Sequence, residues 1–202
     1  IEVTPLKITD FNANPSAYLY KQADGKYNYD VVFFGAWDCN GARDLTTRSA
    51  SVVESYINSG NGVIFGHDTL ALISGGSDLY HPNFASLAKY VNITTATSWT
   101  DNIINKVYIS KTGIFTTYPW YIGKAGTVLT VPHCHDVQQV AYGNIEMMFT
   151  NVGSYTDQNG KGQWNYYLTV NNNCAMIQTG HSSGAATQDE QKIWANLLFY
   201  LG

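Results

Sequence analysis

Four stretches of this 202-residue chain hold side chains able to move protons or grip a metal: Trp37-Asp38-Cys39, His67-Asp68, His133-Cys134-His135-Asp136 with Gln138 and Gln139 just behind, and His181-Ser182-Ser183. An imidazole near its ordinary pKa serves as general acid or base around neutral pH, and a carboxylate such as Asp38 or Asp68 can orient it. Imidazole plus carboxylate is also a donor set for zinc with water in an open position. His133 and His135 stand two apart, so on a strand they face one side and could reach one metal. No local signature such as HExxH supports that metal reading. His67, Asp68 and His181 are therefore the candidate catalytic residues. Trp37, Asp38, His135 and Gln139 are the candidate binding residues, and zinc is the cofactor to consider.

Each candidate has an ordinary alternative. His67 can bond neighbouring loop backbone, and Asp68 can cap the turn at Thr69–Leu70. Cys134 is either a nucleophile beside an imidazole or a small buried residue or disulfide partner. Trp37 and Trp120 can stack on sugars or simply pack. His81, beside Pro82, reads as structural. The helix start near Thr187 favours an anion, as any helix start does.

The elements around these residues place them. YDVVFFGAWD (29–38) has an apolar run of strand length closed by Gly35, and GVIFG (62–66) is a second; both read as strands buried on both faces. Between them Val52, Val53, Tyr56 and Ile57 recur at helical spacing, with Thr46 or Thr47 as cap and Gly60 as stop. Strand, helix, strand is a βαβ unit. HPNFASLAKYV (81–91) reads as a short helix. KVYISK (106–111), GTVLTVP (126–132), IEMMFT (145–150), WNYYLTV (164–170) and NCAMIQTG (173–180) read as strands, with a hairpin turn at TDQNGKGQ. The last segment is an amphipathic helix. Thr187 and Glu190 form a capping box, and Ile193, Trp194, Leu197, Leu198 and Leu201 form its apolar stripe. The expected architecture is one α/β domain over 1–202: a flavodoxin-like, mostly parallel central sheet, helices on both faces and an antiparallel hairpin excursion. Ligands of such sheets bind beyond the carboxyl ends of the strands, where the histidines fall.

Composition narrows the function classes. A net charge of −4 without any Lys/Arg run argues against nucleic acid. There is no apolar run long enough to span a membrane. Charged residues are only 13%, against roughly 25% on average. A surface of Tyr, Asn, Thr, Ser and Gly suits an extracellular or cell-surface protein, and fifteen tyrosines suit protein contacts and a homo-oligomer. Three cysteines allow one disulfide with a free thiol, or three thiols. Asn92-Ile93-Thr94 is a glycosylation sequon. The start, IEVTPLKITDF, has neither Met nor a signal pattern and reads as a processed chain or part of a longer polypeptide.

YDVVFFGAWD…SVVESYINSGNGVIFGHDTL resembles the class I glutamine amidotransferase-like fold. In that fold the turn after the second strand carries a nucleophilic cysteine, and His67 stands in its place here. The ThuA-like branch is similar, with a histidine at that turn and a GH pair after the closing strand, matched by AMIQTGH and His181. These regions cover about half the chain. YPWYIG, the His135/Gln139 pair and NNCAMIQTGHSSGAATQDEQKIWANLLFYL resemble, over nearly the whole chain, an uncharacterised domain repeated in large microbial surface proteins. The resemblance implies a secreted or cell-surface module without the amidotransferase nucleophile, with a binding or assembly role toward carbohydrate or other surface proteins. The alternative is a hydrolase or isomerase acting on a carbohydrate-like substrate through a His/Asp site.

Overall fold

A computed structural model describes residues 1–20, 23–36, 38–72, 80–94, 104–134, 140–150, 166–179 and 185–202. Two short helices, α1 (Ile8–Ala13) and α2 (Pro15–Leu19), lead into β1 (Val31–Phe34). Helix α3 (Thr47–Asn58) then returns the chain to β2 (Gly62–Gly66), which pairs with β1 in parallel. The Thr46 hydroxyl caps α3 by accepting from Ser49 N at 3.1 Å, and Gly60 leaves the helix at φ +94°. Val53, Tyr56 and Ile57 form the buried face, as the helical spacing requires. The segment expected as one helix over 81–91 is split into α4 (Pro82–Ala85) and a 3₁₀ turn at Ala88–Val91. Asp44 holds that start in place: its carboxylate accepts from Asn83 N, Asn83 Nδ2 and Phe84 N at 2.9–3.0 Å.

The remaining strands are β3 (Ile104–Ile109), β4 (Val128–Cys134), β5 (Ile145–Phe149), β6 (Tyr166–Asn171) and β7 (Cys174–Ile177). A four-residue helix, α5 (Ile114–Thr117), sits between β3 and β4, and α6 (Gln188–Leu201) closes the chain. Among the described residues seven strands join one sheet in the order β1-β2-β7-β6-β5-β3-β4. Helices cover both faces, as expected. α1 to α4 lie over Val63, Phe65 and Met176, while α5 and α6 lie over Ile64, Ala175 and Ile177. Fully burying Ile193 and Leu197 under α6 contributes about 1.5–3 kcal/mol each.

The expectation of a mostly parallel, flavodoxin-like sheet is corrected. Only β1–β2 and β2–β7 are parallel, and the other four pairings are antiparallel. Strands buried on both faces are uniformly apolar whichever way their neighbours run, so their composition carries no direction. Tracing the pairings, β1, β2, β7, β5 and β4 nevertheless point the same way, with β6 and β3 reversed. Phe34, Gly66, Ile177, Phe149 and Cys134 thus end on one rim.

The sheet is curled by α6. Thr187 Oγ1 donates to Thr130 O and Asp189 accepts from Thr130 N at 2.8 Å, so the start of α6 holds β4. One residue later Glu190 holds β6 and the end of β7 through Tyr167 and Thr179. Between β7 and β4 lie four inter-strand steps, about 19 Å in a flat sheet. Residues 187 to 190 advance only about 4.5 Å along a helix. Both contacts form only if the sheet bends around the helix into a half-barrel.

Farther along α6, Asn196 is fully buried and uses its whole amide on one segment. Its Nδ2 donates to Phe115 O and Trp120 O at 2.7 Å, and its Oδ1 accepts from Trp120 N at 2.9 Å. Replacing it leaves three backbone groups without that partner. We expect Asn196→Ala to lower unfolding free energy by about 3 kcal/mol, measured by urea denaturation.

Candidate functional site

The chain turns sharply where β2 ends. His67 takes φ +36°, a left-handed backbone that costs a side-chain-bearing residue roughly 1–2 kcal/mol. Its N–H donates to Ile177 O at 2.8 Å, anchoring the elbow to the end of β7. Thr69 N closes the turn on Gly66 O at 3.0 Å, and Ala71 N bonds Asp68 O at 3.0 Å. The turn is tight because two glycines meet there. A Cβ on Gly35, itself at φ +95°, would lie 2.1 Å from Thr69 Oγ1 and 2.8 Å from Gly66 O. A Cβ on Gly66 would lie 2.9 Å from Gly35 O. The end of β1 and the end of β2 can approach this closely only without side chains.

The elbow is closed to solvent. His67 is 4% exposed and Asp68 2%, while Thr69 and Gln178 are fully buried. Thr69 Oγ1 donates to Phe34 O at 3.5 Å, tying the turn to β1. Two of the three candidate catalytic residues therefore sit side by side on a strained turn at the rim. Asp38 opens a 3₁₀ turn, Asp38–Gly41, whose end passes through positive φ at Asn40, Gly41 and Ala42. The side chain of Asp38 lies outside what is described, as do Trp37, His135, Gln139 and His181 entirely. The described ends of β1, β4 and β7, which precede those residues in the chain, share the rim with His67. His133 is exposed near the end of β4. His81 is buried with its ring 6.1 Å from Phe84, in keeping with its structural reading.

One carboxylate behind the rim was misread from the sequence. Thr187 does accept from Glu190 N at 3.1 Å, which is half of a capping box. The Glu190 carboxylate turns inward instead. Its Oε1 accepts from Tyr167 Oη at 3.2 Å and from the Thr179 hydroxyl, with the residue only 2% exposed. Burial raises its pKa above the ordinary glutamate value, and the two hydroxyl bonds only partly oppose that. The sequence did hold a signal: Glu190 lies three and seven residues before Ile193 and Leu197, on the buried stripe itself. Glu146 on β5 is also raised by burial, against the pull of Lys111 at 2.9 Å. Cys174 is a free thiol inside β7, pushed up to about 12 by burial. The side chains of Cys39 and Cys134 lie outside what is described. Among the described residues no three His, Cys, Asp or Glu side chains are grouped to hold a metal, and no helix is long and apolar enough to cross a membrane. Asn92, the sequon residue, is exposed at φ +55° and donates its amide to Tyr142 O.

No protein-family model matches the chain, and no curated protein matches its sequence. Solved structures do share its fold. A ThuA-like protein from Bacteroides uniformis superposes with a TM-score of 0.56 at 13% identity, over 92% of this chain and 73% of that one. A cytoplasmic protein from Salmonella typhimurium gives 0.55 at 12%, over 98% and 76%. PurLQS from Thermotoga maritima gives 0.53 at 10%, over 99% and 96%. At such identities the likeness is one of fold. It carries no activity across.

Two outcomes follow for the site. Because His67 sits at positive φ, the His67→Gly variant should be more stable than His67→Ala by about 1 kcal/mol, read from denaturation midpoints. Glu190 binds its proton more tightly folded than unfolded. Its stabilising contribution is therefore complete below the ordinary glutamate pKa and is lost as pH rises through the raised folded value. Glu146 adds a slope of the same sign. Glu190→Gln should flatten, without abolishing, the fall in stability as pH rises above the ordinary glutamate pKa, read from urea denaturation across a pH series.

Proposed function

We propose that the chain is a secreted or cell-surface α/β module, a single domain that binds or assembles and does not perform amidotransferase chemistry. The observation that carries this reading is the occupant of the elbow. The position that presents a thiol in amidotransferases holds His67, buried to 4% on a turn closed by Gly35 and Gly66. The described free thiol, Cys174, is buried in β7 and its pKa is pushed up to about 12, so it is not poised as a thiolate. The low charge and the Tyr- and Asn-rich surface support the extracellular setting.

A second reading keeps chemistry at the same place. A left-handed, non-glycine His67 next to Asp68 is the sort of strain that active sites retain. A hydrolase or isomerase acting on a carbohydrate-like substrate would use that pair, with His181 and possible zinc. The purified chain should release no ammonia from glutamine and carry no stoichiometric zinc by elemental analysis. Ammonia release blocked by thiol alkylation would overturn the noncatalytic reading. Zinc lost on replacing His67 and His181 would favour the second.

A further inference from the structure

Away from the elbow, the chain shows an aromatic ledge. Among the described residues eleven large hydrophobic side chains are exposed, and six of them lie on the α5–α6 side: Ile114, Tyr118, Trp120, Tyr121, Phe199 and Tyr200. Tyr118 and Trp120 are each 55% exposed and Tyr121 67%. The Tyr118 ring meets Phe199 edge-on at 4.8 Å, which joins the loop to the helix. Phe199 and Tyr200 follow Asn196 by three and four residues, so they share its side of α6. Asn196 fixes the loop from beneath, through both backbone groups of Trp120 and through Phe115 O.

We propose that this ledge is a binding surface for a neutral polysaccharide. The charge pattern selects the partner. No charged residue occurs between Lys111 and Lys124, nor from Ile193 to Gly202. A nucleic acid or an anionic membrane needs cations, and none stand in these two segments. Protein interfaces also enrich aromatic residues and deplete charge at their cores, so a second copy of the chain is the competing occupant that sedimentation distinguishes. Five of the six side chains are rings, and four of those carry a phenol or indole polar tip. A sugar ring offers an apolar C–H face to stack on such a ring and hydroxyls at its rim to meet the tips and water. Rings with few rotatable bonds, on a backbone already locked by Asn196, lose little entropy on binding.

The proposal lies beyond the noncatalytic reading, because the ledge and the elbow are separate. Ammonia release reports on the elbow alone. The test is affinity electrophoresis of the full chain through gels containing dextran, amylose, xyloglucan, galactomannan or mixed-linkage β-glucan. At least one polysaccharide should retard the chain. Trp120→Ala and Tyr121→Ala should each weaken that binding by about tenfold, and Trp120→Phe should restore most of it. Circular dichroism of the exposed-site variants should match the parent. Retardation by none of the five, or retardation unchanged in both alanine variants, overturns the proposal. So does a dimer in sedimentation that Trp120→Ala dissolves, or binding to phosphatidylcholine vesicles that the same change removes.

Discussion

The first turn of α6 reaches three strands that a flat sheet would hold far apart. Thr187 and Asp189 take both outward backbone groups of Thr130 on β4, while Glu190 takes hydroxyls from β6 and from beyond β7. That geometry forces the curl of the sheet, and much of the molecule follows from it. Thr130 on the edge strand β4 has its backbone groups occupied by side chains, which blunts an otherwise open edge. The concave face is filled by Ile193, Leu197 and Leu201, so the half-barrel has a packed interior. The carboxylate that joins β6 and β7 is drawn out of water, and burial raises its pKa.

The other close constraint is at the opposite side of β7. Gly35 and Gly66 let β1 and β2 end in contact, and the turn that follows carries a left-handed residue at 67. His67 donates its backbone N–H to Ile177, so β2's turn and β7's end are positioned together. Backbone packing sets the elbow, and the residue displayed there sets the chemistry.

The positions of the elements were legible from periodicity. β2 was read at its own limits, α6 began at the expected Thr187 cap, and each run read as a strand became one, within two or three residues at its ends. The short helices α1, α2 and α5 were missed, because four to six residues hold too few turns to show a 3.6-residue period. The short helix expected over 81–91 proved to be two pieces, its start held by an aspartate some forty residues earlier in the chain. Of the candidate site, His67 and Asp68 were legible because the apolar run 62–66 has a clear end in the sequence, and they stand just past it. Glu190 was assigned the capping role that its spacing from Thr187 suggested, although its place on the buried stripe pointed inward.

The sequence by itself determined which segments are the strands and the two long helices, which faces of those helices are apolar, and that the turn after β2 holds an imidazole and no thiol. These are properties of neighbouring residues and survive without knowledge of the partners. Tertiary structure alone decided strand direction, the curl, the burial of the Glu190 carboxylate and the gathering of six exposed apolar side chains over Asn196. Each of those depends on contacts between residues tens of positions apart, and a hydrogen bond such as Thr130 N to Asp189 leaves no trace in the local pattern at either end.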